Sequence, residues 1–289
     1  MTPYNTDFIA IGDRQYHIRQ WGDPAREPVF LLHGWMDSSA TFQFLADALG
    51  LGWNLIAPDW RGFGDSDWNH DSYYFPDYLA DLDHILEHYS PGTPAALVGH
   101  SMGAMIASIY AGVRPTRVSR LALIEGFGLS DTDPAEAPGR YARWLREKRS
   151  NFDFRPLLDR SEAAARLLDR NPHLSQERAD WLADALTRPQ GDGTRIYRAD
   201  PRHKMVNPAL YHLEEAKACW RKITCPVLWV AGEDPWEHPQ VRGVLDTLDE
   251  RRACFADLSE IRFANCGHMV QWEAPEELAL ALSAFLRPY

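Results

Sequence analysis

Residues 95–109 read Ala95-Ala96-Leu97-Val98-Gly99-His100-Ser101-Met102-Gly103-Ala104-Met105-Ile106-Ala107-Ser108-Ile109. An apolar run enters a Gly-x-Ser-x-Gly pentapeptide, and a run of small and apolar residues leaves it. The order predicts a buried strand, a sharp turn and a helix, a passage that holds its central residue in a strained backbone conformation. Glycine is needed at positions 99 and 103 because a Cβ there would collide with the strand or the helix. The product is a serine hydroxyl lifted clear of the backbone. Glycine and serine are common in loops, so the pentapeptide alone is a weak signal. The strand before it and the helix after it make Ser101 a candidate nucleophile rather than part of an ordinary turn.

Outward from this turn, short apolar runs alternate with helical patterns. The pattern predicts strands at residues 8–11, 15–21, 29–32, 54–57, 95–98, 118–124, 226–230 and 261–263. Helices are predicted at 41–49, 74–89, 102–113, 239–248 and 275–286. The later strands are continuously apolar and separated by helices, which implies a parallel sheet covered on both faces. The first two lie close together without a helix between them and predict an antiparallel hairpin at one edge. The alternation breaks after the sixth strand, where the chain reads as helices throughout: 141–149, 161–168, 175–186 and 208–220, with turn signals at Asn171-Pro172, Pro189 and Gly191-Asp192-Gly193. This gives an α/β chain with a core domain at 1–125 and 222–289 and a helical cap at 126–221.

The chain has 289 residues, 45% of them hydrophobic, and a formal net charge of -11. An acidic chain is a poor binder of nucleic acid. No apolar stretch reaches the roughly 18 residues that span a bilayer. The first residues lack the basic-then-apolar order of a signal peptide. The four cysteines, Cys219, Cys225, Cys254 and Cys266, lack close metal-ligand spacing and read as free thiols in a reducing cytoplasm. Residues 131–222 carry 18 Lys/Arg and 15 Asp/Glu, a net +3, against 12 and 26 elsewhere, a net -14. Either a positive cap is drawn to a negative core, or it favours an anionic substrate.

A serine hydroxyl is a poor nucleophile at neutral pH and needs a base with a group that orients it. His268, in Asn265-Cys266-Gly267-His268-Met269, follows the last strand and precedes the last helix, at the same sheet edge as Ser101. The orienting acid is expected after the preceding strand, in Gly232-Glu233-Asp234-Pro235, with Asp234 favoured over Glu233. Glu125, ending the strand 118–124, is the competing acid. The order Ser101, Asp234, His268 is one known order of such triads. An oxyanion needs two backbone N–H groups. Met102, at the helix N-terminus, supplies one. Trp35, in His33-Gly34-Trp35-Met36-Asp37 after the third strand, supplies the other. Gly34 permits close approach, and His33, Gly34, Met36, His100 and the cap residue Trp144 are candidate substrate contacts. Phe152, Phe154, Leu182 and Tyr211 are further candidates to line the acyl pocket.

His33-Gly34, Asp59-Trp60-Arg61-Gly62-Phe63-Gly64-Asp65-Ser66, Gly99-His100-Ser101-Met102-Gly103 and Gly267-His268 resemble, in order and spacing, the landmarks of the α/β-hydrolase fold superfamily. The resemblance covers nearly the whole chain. It implies a mostly parallel eight-stranded sheet flanked by helices, with a cap inserted after the sixth strand. Asn171-Pro172-His173-Leu174-Ser175 and Tyr197-Arg198-Ala199-Asp200-Pro201-Arg202 resemble cap segments of serine hydrolase-like proteins. Relatives place two residues between the glycine after the seventh strand and the acid. Here Glu233 alone separates Gly232 from Asp234, which keeps Glu125 in contention. Relatives that open epoxides or remove halide use aspartate as nucleophile, and a serine at 101 argues against both chemistries. Arg61 and Asp59 read mainly as shapers of their loop.

The expected function is hydrolysis of a small- to medium-acyl carboxylic ester through an acyl-enzyme, with no metal or organic cofactor. The protein is expected to be a monomer or homodimer whose partner is a small acyl substrate. Carbon–carbon hydrolysis of ring-cleavage diketones, thioester hydrolysis and ligand binding without turnover are the alternatives.

Overall fold

The computed structural model describes residues 1–234 and 242–287. Its strands are β1 (Tyr4–Ile11), β2 (Arg14–Gly22), β3 (Pro28–Leu32), β4 (Asn54–Pro58), β5 (Ala95–His100), β6 (Val118–Ile124), β7 (Thr187–Pro189), β8 (Arg195–Tyr197), β9 (Val227–Gly232) and β10 (Leu258–Phe263). Its helices are α1 (Gln43–Leu49), α2 (Phe75–Tyr89), α3 (Met102–Val113), α4 (Ala137–Glu147), α5 (Arg160–Arg170), α6 (Gln176–Leu186), α7 (Leu213–Trp220), α8 (Arg242–Asp246), α9 (Leu248–Arg252), α10 (Val270–Glu273) and α11 (Pro275–Leu286).

Eight strands form one sheet in the order β1-β2-β4-β3-β5-β6-β9-β10. Pairing is parallel from β4 through β10 and antiparallel at β1–β2 and β2–β4. The burial pattern explains the division. Every residue of β4 is buried, as a strand covered on both faces must be, whereas β1 buries only Ile9. One apolar cluster joins the sheet to α2, α3 and α7, and a second joins its other face to α1 and α11. The sheet is therefore the middle layer of three.

Between β6 and β9 the chain leaves the main sheet and forms α4 to α7. The all-helical expectation for this stretch is corrected at one place. Thr187–Pro189 pairs antiparallel with Arg195–Tyr197, and Asp192 Oδ1 closes the turn by accepting the N–H and hydroxyl of Thr194. Strands of three residues leave no readable alternation. The last helix there begins at Leu213 rather than at 208. Of the expected 239–248 helix, 239–241 lie outside the described residues, and the rest is divided between α8 and the start of α9, parted at Thr247.

The insertion is fastened to the loop after β4. Gly64 N–H donates to Arg198 O at 2.8 Å, and Asp200 N–H donates to Gly62 O at 2.8 Å. The Tyr73 hydroxyl donates to buried Asp200 at 2.7 Å, and the His203 ring stacks between Phe63 and Tyr73. Burial holds His203 down at about 3, so it is neutral in this sandwich. The loop itself is built around Asp59, whose carboxylate accepts from Ser39 N–H, Asp65 N–H and His17 Nδ1. A Cβ on Gly64 would fall 2.1 Å from that carboxylate, so glycine is required there. Arg61 forks onto Asp81 of α2 at 2.5 and 2.7 Å and reaches Asp77 at 3.0 Å, a structural role. The four cysteines are free thiols. Among the described residues, no helix is long and apolar enough to cross a membrane.

Candidate active site

The backbone at Ser101 adopts φ 52° and ψ -115°, between the end of β5 and the start of α3. Its N–H donates to Ile124 O of β6 at 2.8 Å. The flanking glycines have no substitute. A Cβ at Gly99 would lie 2.6 Å from the Ala104 backbone, and one at Gly103 would lie 2.1 Å from Leu32 O.

Register then decides what stands beside the serine. His100 pairs with Ile124, and Ile124 pairs with Val230. The residues one step further, Ser101 and Glu125, therefore leave neighbouring strands at the same level. Glu125 also takes a left-handed backbone, φ 54°. Its Oε1 accepts the Gly232 N–H at 2.6 Å, and its Oε2 lies 3.5 Å from His268 Nδ1. Both side chains are largely buried. Burial pushes the Glu125 carboxyl up to about 7, against the lowering effect of the Gly232 amide and the Arg262 charge.

The His268 loop is held from several sides. His100 Nε2 donates to His268 O at 2.9 Å, so the residue before the serine fixes the residue that carries the imidazole. Gly267 N–H donates to Glu273 at 2.6 Å. A Cβ on Gly232 would lie 2.1 Å from Cys266 O, which explains the glycine where β9 passes this loop. Cys266 is fully buried and its thiol is pushed up to about 12, as a small packing residue would be.

Asp234, the acid favoured from the sequence, is placed differently. Its N–H donates to Cys266 O, and its carboxylate accepts from His173 Nε2 of the insertion at 2.5 Å. The Asp234 carboxylate thus faces the α5–α6 connection. Glu233 is exposed. The carboxylate beside His268 Nδ1 among the described residues is Glu125, the competing acid of the sequence reading. His173 as the partner of Asp234 had no signal in the sequence.

The loop after β3 packs on Ser101 through a missing side chain. A Cβ at Gly34 would lie 3.2 Å from Ser101 Cβ and 3.0 Å from His100 Nδ1. Trp35 follows at once, with its side chain half-exposed, and Met36 takes φ 60°. Met102 opens α3, so its N–H has no acceptor within the helix. His33 is not a surface contact. It is fully buried, donates from Nδ1 to Gly34 O at 2.7 Å and accepts the Trp60 N–H on Nε2 at 2.9 Å. Burial holds it at about 4, so it is a neutral strut of the loop. His100 is equally buried and tied to His268 O. Met36, Met102, Phe154 and Tyr211 join the edge of one apolar cluster. Leu182 is fully buried in a separate cluster with Phe44 and Trp272. Trp144 is half-buried, with Lys148 Nζ 5.9 Å from its ring.

Comparison with known proteins agrees with this architecture. The profile of the alpha/beta hydrolase fold family matches residues 27–275. A serine hydrolase-like protein of Danio rerio is 25% identical over 93% of this chain and 84% of its own length. A serine hydrolase-like protein of Dictyostelium discoideum is 28% identical over 78% of this chain and 65% of its own length. Among solved structures, the thioesterase domain from the curacin biosynthetic pathway superposes with a TM-score of 0.86, 26% identity and coverage of 99% and 100% of the two chains.

Proposed function

We propose, for a chain that belongs to the α/β-hydrolase fold family and is a hydrolase, cleavage of a small- to medium-acyl carboxylic ester through Ser101, His268 and Glu125. His268 takes the Ser101 proton as the hydroxyl attacks the carbonyl. The N–H groups of Trp35 and Met102 receive the oxyanion. Glu125 fixes the His268 tautomer and stabilises the imidazolium that forms. His268 then protonates the leaving alcohol and activates the water that releases the acid. The insertion 126–221 acts as a cap that limits the acyl pocket.

The observation that carries this reading is the pairing of two left-handed residues, Ser101 and Glu125, at the same level of neighbouring strands, with His268 Nδ1 3.5 Å from the carboxylate. Backbone strain of this kind persists where function requires it. The test is hydrolysis of p-nitrophenyl esters from acetate to palmitate. An optimum chain length that disappears in Ser101→Ala supports the reading. Folded wild-type protein that turns over none of the series overturns it.

Thioester hydrolysis is the second reading. The likeness over the full chain to a domain named as a thioesterase favours it. The same acyl groups as thioesters distinguish the two: a higher kcat/KM for thioester than for the matched oxygen ester selects the second.

A further inference from the structure

The loop that carries His268 is held from two directions. From the core, His100 donates to His268 O at 2.9 Å. From the insertion, α6 reaches α10, the four-residue helix that follows the loop. Loop and helix form one closed unit. Gly267 N–H donates to the Glu273 side chain at 2.6 Å, and the N–H groups of Trp272 and Glu273 donate to Met269 O at 2.8 and 3.0 Å. Residue 268 lies between the two tied residues, so whatever fixes α10 also fixes the backbone of His268.

The insertion grips this unit twice. Trp272, only 4% exposed, is buried in an apolar cluster with Leu174, Leu182 and Leu186 of the insertion, and Met269 packs against the same cluster. Arg178 of α6 then crosses to the end of α10. One terminal nitrogen donates to Trp272 O at 3.0 Å and to Glu273 O at 3.3 Å, and the other donates to Glu276 at 2.6 Å. The last carbonyls of a helix lack donors of their own, and the negative end of its dipole favours a cation. The guanidinium is a rigid fork that serves several acceptors at once. Its carbon lies 5.4 Å from the centre of the Phe44 ring, which supports the side chain on its way to α10. Arg160, by contrast, is spent inside the insertion: it donates to Asp180 O and pairs with Asp184, both in α6.

We infer that Arg178 is a positioning residue for the proposed reaction. By holding α10 it sets His268 against Ser101 and Glu125, and it makes that placement depend on the insertion being seated on the core. The inference rests on the reading of His268 as the base. His268 Nδ1 stands 3.5 Å from the Glu125 carboxylate, the outer limit of a hydrogen bond, so a small shift of the loop is felt.

The test compares wild type, Arg178→Met, Arg178→Gln, Arg178→Lys, Arg160→Met and His268→Asn in the full chain. Two quantities are read: the rate at which a fluorophosphonate labels Ser101, and kcat and KM for a p-nitrophenyl ester. Circular dichroism and melting report that each variant is folded at the assay temperature. Arg178→Met and Arg178→Gln are expected to label about tenfold more slowly, with kcat falling to match and KM within about twofold of wild type. Arg178→Lys, which keeps the charge, is expected to recover to within about threefold. Arg160→Met removes an ion pair from the same insertion and is expected to label at the wild-type rate. A wild-type rate in a folded Met or Gln variant, an equal loss in Arg160→Met, or a rise in KM with kcat unchanged would overturn the inference. Wild type labelling no faster than His268→Asn would instead remove the base itself, and the inference with it.

Discussion

Four residues other than glycine adopt positive φ among the described residues: Met36, Ser101, Glu125 and Asn265. Each lies in one of the four loops that meet at the site, and each such conformation costs about 1–3 kcal/mol. Their convergence singles out Glu125 as a positioned carboxylate. Glu125→Gln is expected to lower kcat by about 10²–10⁴, the range for losing the acid of a triad. Asp234→Asn, which alters a bond to the insertion, is expected to stay within about threefold. Ester turnover of the two purified variants checks both. Glu125 also predicts a stability signature. Its folded value of about 7 exceeds the ordinary 4.5, so its contribution is present below pH 4.5 and is lost as pH rises through 7. Glu125→Gln escapes that loss. Its stability relative to wild type is expected to rise between pH 4.5 and 7 by on the order of 3 kcal/mol, then level off. Urea denaturation across that range measures it, and a flat difference contradicts the buried-carboxylate account.

The strand–turn–helix of β5 and α3 is the least forgiving element. A methyl group at position 103 would meet Leu32 O at 2.1 Å, inside rigid backbone. Gly103→Ala is expected to cost more than about 4 kcal/mol or to prevent folding, read from denaturation or from yield of soluble protein. The attachment of the insertion is a second such element. Asp200 is fully buried and accepts from Tyr73, Arg202 and a backbone N–H. Asp200→Ala is expected to destabilise the protein by about 3–5 kcal/mol. Limited proteolysis should then cut first within residues 187–205, and an unchanged cleavage map would argue against the fastening role. These elements differ in how visible they were in the sequence. The inner strands β3, β4, β5, β6 and β9, and α3, were legible because buried parallel strands are continuous apolar runs. The start of β10 was not, because Leu258-Ser259-Glu260 sits on an edge strand and keeps polar residues facing outward. The β7–β8 hairpin was too short to show a period.

At the scale of the whole molecule, the sequence leaves Asp234 and Glu125 both admissible, because both end strands at the same sheet edge. The register of β5, β6 and β9 brings Glu125 to His268 Nδ1, and Asp234 is bonded to His173 instead, neither of which the sequence alone displays. The docking of His203 between Phe63 and Tyr73 is similarly invisible, since it joins segments about 130 residues apart in the chain. By contrast, the strand–turn–helix around Ser101 and the loop that carries His268 between β10 and α10 were legible, because each is local to its own segment.

In the proposed mechanism Ser101 is activated through His268 by Glu125. The most direct measurement is the rate at which a fluorophosphonate labels the wild-type protein, Glu125→Gln and Asp234→Asn, with the modified residue located by mass spectrometry. A single label on Ser101 is expected, at nearly equal rates in wild type and Asp234→Asn and at least about a hundredfold more slowly in Glu125→Gln. A label elsewhere, or a loss of rate in Asp234→Asn with Glu125→Gln unaffected, would contradict it.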